Sequence, residues 1–196
     1  MKMLATLLSA ILFSTPLAAA PFGLRAGMEK EDVEKITGPL REVSPSVFLS
    51  MELPGGYPEL ETYSLFITPD HGLCRVQGTS EVIPSDGQGQ PLRQRFDRLM
   101  ERLWEAHGYP EVIDRLTEGS AWSARDEWMI ALFERDRILM TLWAEGQGSE
   151  LPEDVQGVVL AARALKVDEG FLTLDYTLSN WTRCRARFDD PAAHTR

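Results

Sequence analysis

Two cysteines, Cys74 and Cys184, and three histidines, His71, His107 and His194, are the residues of this 196-residue chain best suited to nucleophilic or metal chemistry. Cys74 follows His71 by three residues in ThrProAspHisGlyLeuCys, a spacing that admits a thiolate beside an imidazole. A nucleophile also needs an orienting partner, and no spacing in the chain supplies one. Two cysteines in an oxidising compartment read instead as a disulfide, Cys74 to Cys184, closing a loop of about 110 residues. Chain entropy assigns such a bridge about 4 to 5 kcal/mol. His71 then reads as a turn residue in ProAspHisGly. The histidines are far apart and no H-x-x-x-H or C-x-x-C pair occurs, so no metal site is expected. Glu29, Glu31, Asp32 and Glu34 suit the first turn of a helix better than a calcium loop. Asp126 and Glu127 are spaced as an acid pair that could serve a glycosidase, but carboxylates are abundant throughout. G-x-S-x-G, Walker A and G-x-G-x-x-G are absent. The expectation is a protein without a catalytic site or cofactor.

Aromatic residues are the other chemistry-bearing set. Trp104, Trp128, Trp143 and Trp181 fall at apolar positions of expected elements and read as core. Trp122, in GlySerAlaTrpSerAla, and Tyr57, between GlyGly and Pro, are flanked by small or turn-forming residues and read as candidate partner-binding anchors.

The elements that must position these residues follow from periodicity. Residues 1–20, with Lys2, an apolar run from Met3 to Phe13, Pro16 and then small residues, read as a signal peptide. The run is too short for a bilayer core of roughly 30 Å, which takes about 20 residues. The mature chain is therefore expected to be soluble in the periplasm or secreted, and not membrane-spanning. Lys plus Arg total 20 against 30 Asp plus Glu, a formal charge of −10 that disfavours nucleic acid and anionic membranes as partners.

In the first unit, 21–84, the pattern predicts a helix from Glu29 to Thr37 with Met28, Val33 and Ile36 on one side, then a Pro/Gly-rich loop. Tyr63–Thr68 and Leu73–Gln77 follow as a hairpin. SDGQGQP at 85–91 reads as a linker. The second unit, 92–190, opens on an amphipathic helix from Leu92 to His107 with Leu92, Phe96, Leu99, Met100, Leu103 and Ala106 on one face. WMIALF (128–133) and ILMTLW (138–143) read as adjacent buried strands, and Gly157–Val167 and Phe171–Leu178 as a hairpin. Ser179 or Asn180 caps a last helical turn carrying Trp181, Cys184 and Phe188, and 191–196 reads as a disordered tail. Helix, Gly/Pro break and antiparallel strands thus occur in each half, and GlyProLeuArgGluVal at 38–43 lines up with GlyTyrProGluValIleAsp at 108–114.

GlyLeuArgAlaGlyMet at 23–28, Val33 and GlyPro at 38–39 resemble the G-M-T-x-x-x-V…G-x-P opening of the small outer-membrane-assembly lipoproteins and of the β-lactamase inhibitory protein-like fold. The lipid-anchor cysteine is missing, and Glu29 stands where a capping Thr is usual. TyrSerLeuPheIleThrPro, GlyLeuCys and TrpMetIleAlaLeu are similar to segments of exported bacterial proteins. The resemblance implies an α+β fold of tandem helix-plus-antiparallel-sheet units. It also implies a protein-binding or envelope-assembly module without catalytic activity, its partner another envelope protein. Two alternatives accompany it: an envelope hydrolase working through a carboxylate pair or Cys74 and His71, and an inhibitor or immunity protein whose acidity suits a basic partner.

Overall fold

The computed structural model describes residues 21–144, 146 and 148–189; the expected leader and C-terminal tail lie outside the described residues. Helix α1 (Lys30–Thr37) starts beside extended Glu29 and ends at Gly38, with Val33 buried and Met28 and Ile36 packed on the core as its spacing requires. Four strands follow: β1 (Arg41–Ser44), β2 (Val47–Ser50), β3 (Thr62–Thr68) and β4 (Gly72–Thr79). Two-residue β5 (Ile83–Pro84) precedes α2 (Gln90–His107). Beyond it lie β6 (Glu111–Leu116), α3 (Trp128–Phe133), β7 (Arg137–Ala144), β8 (Val155–Lys166) and β9 (Glu169–Leu178). Short helices α4 (Trp181–Cys184) and α5 (Ala186–Asp189) end the described chain.

All strands join one nine-stranded antiparallel sheet in the order β1-β2-β3-β4-β9-β8-β7-β6, with β5 pairing to β9. The fold is α+β and mostly sheet. The two halves of the chain meet at β9, which pairs with β4 from Arg75 opposite Thr177 to Thr79 opposite Thr173 and with β5 at Ile83 opposite Gly170. Asp175 on β9 clamps this seam, accepting from Arg75 Nε at 2.5 Å and Gln77 Nε2 at 2.9 Å on β4. In β9, Leu172, Leu174, Tyr176 and Leu178 alternate inward while Thr173, Asp175 and Thr177 stay half-exposed, as period-two burial demands.

Helix α2 lies on the inner face. Its buried stripe is Leu92, Phe96, Leu99, Leu103 and His107, so the expected Ala106 is corrected to His107, and Ala106 is exposed. Four residues after Leu103, His107 continues the helical stripe; its polar ring is admitted because Tyr176 supplies a hydrogen bond. The residues before the helix are tightly held. Ser85 Oγ accepts from Leu92 N, Asp86 Oδ1 from Gln90 N, and Gly87 O from Met129 N. Gly89 has φ +68 and faces Trp128, whose ring a Cβ would meet at 2.2 Å, so both conformation and space require glycine there.

WMIALF, expected as a strand, is helix α3. A six-residue apolar run fits either period. Before it, the Glu127 carboxylate accepts from Ala124 N at 2.8 Å and closes the helical turn Arg125–Glu127 that leads into α3, and the packing of α3 on β7 and β8 selects the helical period. The strand beside β7 is instead β6, whose alternation is weak because most of its residues are exposed. Of the four tryptophans expected in the core, Trp128 and Trp143 are buried, Trp181 is half-buried, and Trp104 is corrected to a surface position at 43% exposure. It lies one residue beyond Leu103, outside the buried stripe of α2.

Candidate functional site

Cys74 on β4 and Cys184 on α4 form a disulfide with Cα atoms 6.4 Å apart, as the sequence predicts. Both are buried, so the bridge withdraws the thiol on which a Cys74 nucleophile would depend. His71 sits half-buried in the β3–β4 turn; its N–H donates to Thr68 Oγ1 and its carbonyl accepts from Asn180 Nδ2. Asn180 also donates to Leu73 O and so fastens the start of α4 to that turn. Asp126 and Glu127 lie in a short helical turn, where Glu127 is engaged in capping. Among the described residues no group of three His, Cys, Asp or Glu is placed to hold a metal ion.

The two aromatic anchors expected from sequence are placed apart. Trp122 is half-buried in a loop whose Ser120 accepts from Trp122 N and donates to Asp136 Oδ2. Tyr57 turns inward, its hydroxyl 3.2 Å from that of Tyr176 and its N–H donating to Tyr63 Oη. Tyr176 in turn lies 2.8 Å from His107 Nε2, and Phe22 packs edge-on against Tyr57, Tyr63 and Tyr176. Burial pushes both Tyr57 and Tyr176 above the ordinary phenol range and lowers His107 to about 4. This network joins α2, β9 and the 53–58 loop and ties them to one another.

The exposed chemistry lies just above it. Trp104, near the end of α2, and Tyr109, just past it, form a tilted aromatic pair with ring centroids 4.9 Å apart, and Tyr109 is 68% exposed. Glu101 and Glu105 on α2 and Glu150 on the opposing loop line the same shallow groove of about 480 Å³. Its floor is fixed. Trp143 Nε1 on β7 donates to Gly108 O, Glu150 N to His107 O, and Gly108 takes φ +74 to turn the chain out of the helix. The C-terminal end of the helix dipole adds to the negative field of the three glutamates. Aromatic faces flanked by carboxylates, held on a rigid base, suit a lysine or arginine side chain through cation–π contact and ion pairing.

Comparison with known protein families, curated proteins and solved structures yields no match. The groove is read from its own chemistry. The sequence pattern does not single it out, because Trp104 reads as core and Tyr109 lies in a break between elements. The available signal was the run Glu101, Trp104, Glu105, which puts an aromatic residue among acids on one helix face.

The buried histidine gives this region a pH dependence. His107 binds its proton at about 4 in the folded protein and near the ordinary 6.5 when unfolded. Its folded pKa is depressed, so its contribution is fully present above about pH 6.5 and declines as pH falls toward 4. At about pH 4.5 the loss from this group is about 2.5 kcal/mol relative to pH 7.5, at roughly 1.36 kcal/mol per unit. Urea unfolding at both pH values, compared with His107→Gln, checks it: the variant should lose less stability on acidification by that amount, and equal losses would refute the assignment.

Proposed function

We propose that the protein is a non-catalytic binding module of the bacterial envelope, and that it captures a basic surface of another protein through Trp104 and Tyr109. The observation that carries this reading is the exposed aromatic pair enclosed by Glu101, Glu105 and Glu150. Interfaces concentrate their energy in a few Trp, Tyr and Arg side chains, and a protein of formal charge −10 steers a cationic partner toward contact. The same features favour an inhibitor or immunity protein for a basic partner as the nearest variant. The placement of a helix and antiparallel strands in each half, meeting at β4 and β9, supports reading the fold as tandem units of the β-lactamase inhibitory protein-like kind. The apolar leader supports export to the periplasm.

A photo-crosslinking amino acid at Tyr109, followed by Trp104→Ala in the same cells, tests the reading. The partner crosslinked at Tyr109 should carry a basic patch, and Trp104→Ala should weaken its capture by about 2 kcal/mol, roughly thirtyfold. The thermal midpoint should hold, because Trp104 is outside the core. His71→Ala should leave capture intact. If His71→Ala abolishes the cellular role with the fold unchanged, the module reading fails.

A further inference from the structure

The nine-stranded sheet is split at one point. The β7–β8 ladder runs from Ala144 opposite Gly157 to Met140 opposite Ala161 and stops there. Both strands continue: β7 to Arg137, held by β6 through Leu116, and β8 to Lys166, held by β9 through Glu169. Along 137–139 and 162–164, then, each strand has a strand neighbour on one side only, with α3 packed against both. Alternate N–H and C=O groups on the facing edges are left for another partner. A cleft of about 550 Å³ occupies the wedge, within the range of small-ligand and peptide sites.

Its lining is chemically uneven. Leu132 from α3, Leu139 and Ala162 are buried apolar walls, while Arg135, Arg137 and Arg163 also line it. Three arginines on one cleft stand out in an acidic chain. Arg137 pairs with Asp114 and lies over the Trp128 ring, yet its Nε is buried without a hydrogen-bond partner. Arg135 and Arg163 have no ion-pair partner among the described residues. Unspent donors of this kind select an anion, and guanidinium groups match carboxylate geometry.

We infer that the split between β7 and β8 is a docking slot for the C-terminal end of an extended, apolar peptide, two or three residues of which add to an open strand edge while the terminal carboxylate meets Arg163 and Arg135. Open backbone edges favour a peptide over a fatty acid, which brings nothing to pair with them. The ladder closes at Met140 and Ala161, so the slot is blind, and a chain end fits it better than a passing segment. The groove at Trp104 and Tyr109 selects the opposite charge, so this is a second site.

The test uses the purified protein and the fluorescently labelled peptide Thr-Val-Thr-Leu-Val-Phe with a free carboxylate, its C-terminal amide, and sodium laurate as competitor. The free acid should bind at least tenfold more tightly than the amide and slow hydrogen exchange at the amides of 138–139 and 163–164. Arg163→Gln combined with Arg135→Gly should weaken binding at least tenfold with circular dichroism unchanged; glycine suits position 135, where φ is +65. Equal binding of acid and amide, no binding at millimolar peptide, or undiminished binding by the variant overturns the proposal. Laurate binding in place of the peptide overturns it as well. Should the double variant fail to fold, the acid-to-amide ratio and the exchange pattern on the native protein decide.

Discussion

Replacing Cys74 and Cys184 together by alanine is expected to destabilise the protein by about 4 kcal/mol, measured as a lowered urea midpoint under non-reducing conditions. The bridge spans 110 residues, so its loss returns a large loop to the unfolded ensemble. It also fastens α4 to β4. Trp181 stacks on Phe188 at 5.7 Å, and Phe66 on β3 packs edge-on to both, with Arg75 over the Phe66 and Trp181 rings. This cluster covers the outer face of β3 and β4 and depends on the chain returning there after β9. The same loss should follow in the native sequence on adding reductant, and thiol titration of the unfolded, unreduced protein should find no free thiol. A change below about 1 kcal/mol would show that Asn180 and the aromatic cluster hold α4 without the bridge.

The second large effect is expected at Leu99, fully buried on α2 between Phe96 and Leu103. Leu99→Ala removes its side chain from a helix that lies on β8 and β9 and should cost about 3 to 4 kcal/mol, from lost burial plus the residual cavity. The contrast is Arg98→Ala, one residue away on the exposed face, which should shift stability by less than about 0.5 kcal/mol. Similar losses at both positions would mean that burial of the Leu99 side chain does not set the stability of α2. The spacing that predicts Leu99 as buried is therefore open to measurement at single-residue resolution.

Helix α1, helix α2, the β3–β4 hairpin and the β8–β9 hairpin were legible in the chain, because each carries a full period of apolar residues between Gly, Pro or Asp turn signals. The disulfide was legible from the cysteine count together with the expectation of export. The hairpin of β1 and β2 was not. It reads as loop because β1 has no buried side and Ser46 turns the chain at φ +65, a conformation that a serine does not advertise. Helix α3 was misread for a complementary reason: WMIALF is apolar at every position, so its period is hidden, and only its packing on β7 and β8 chooses helix.

The surfaces offered here for binding divide the same way. Residue types alone determined that the protein is acidic, that it carries one possible disulfide and that G-x-S-x-G, Walker A and G-x-G-x-x-G are absent. Tertiary structure decided which aromatics face water and which arginines line one cleft. Trp104 and Glu150 are far apart in the chain and meet because Trp143 and Glu150 fasten the end of α2. Arg137 and Arg163 line one cleft because β7 and β8 part after Met140, each drawn to its other neighbour. Local periodicity records which side of an element is buried; it carries no information on where two elements separate, since that depends on how the remaining strands and helices compete for the same edges.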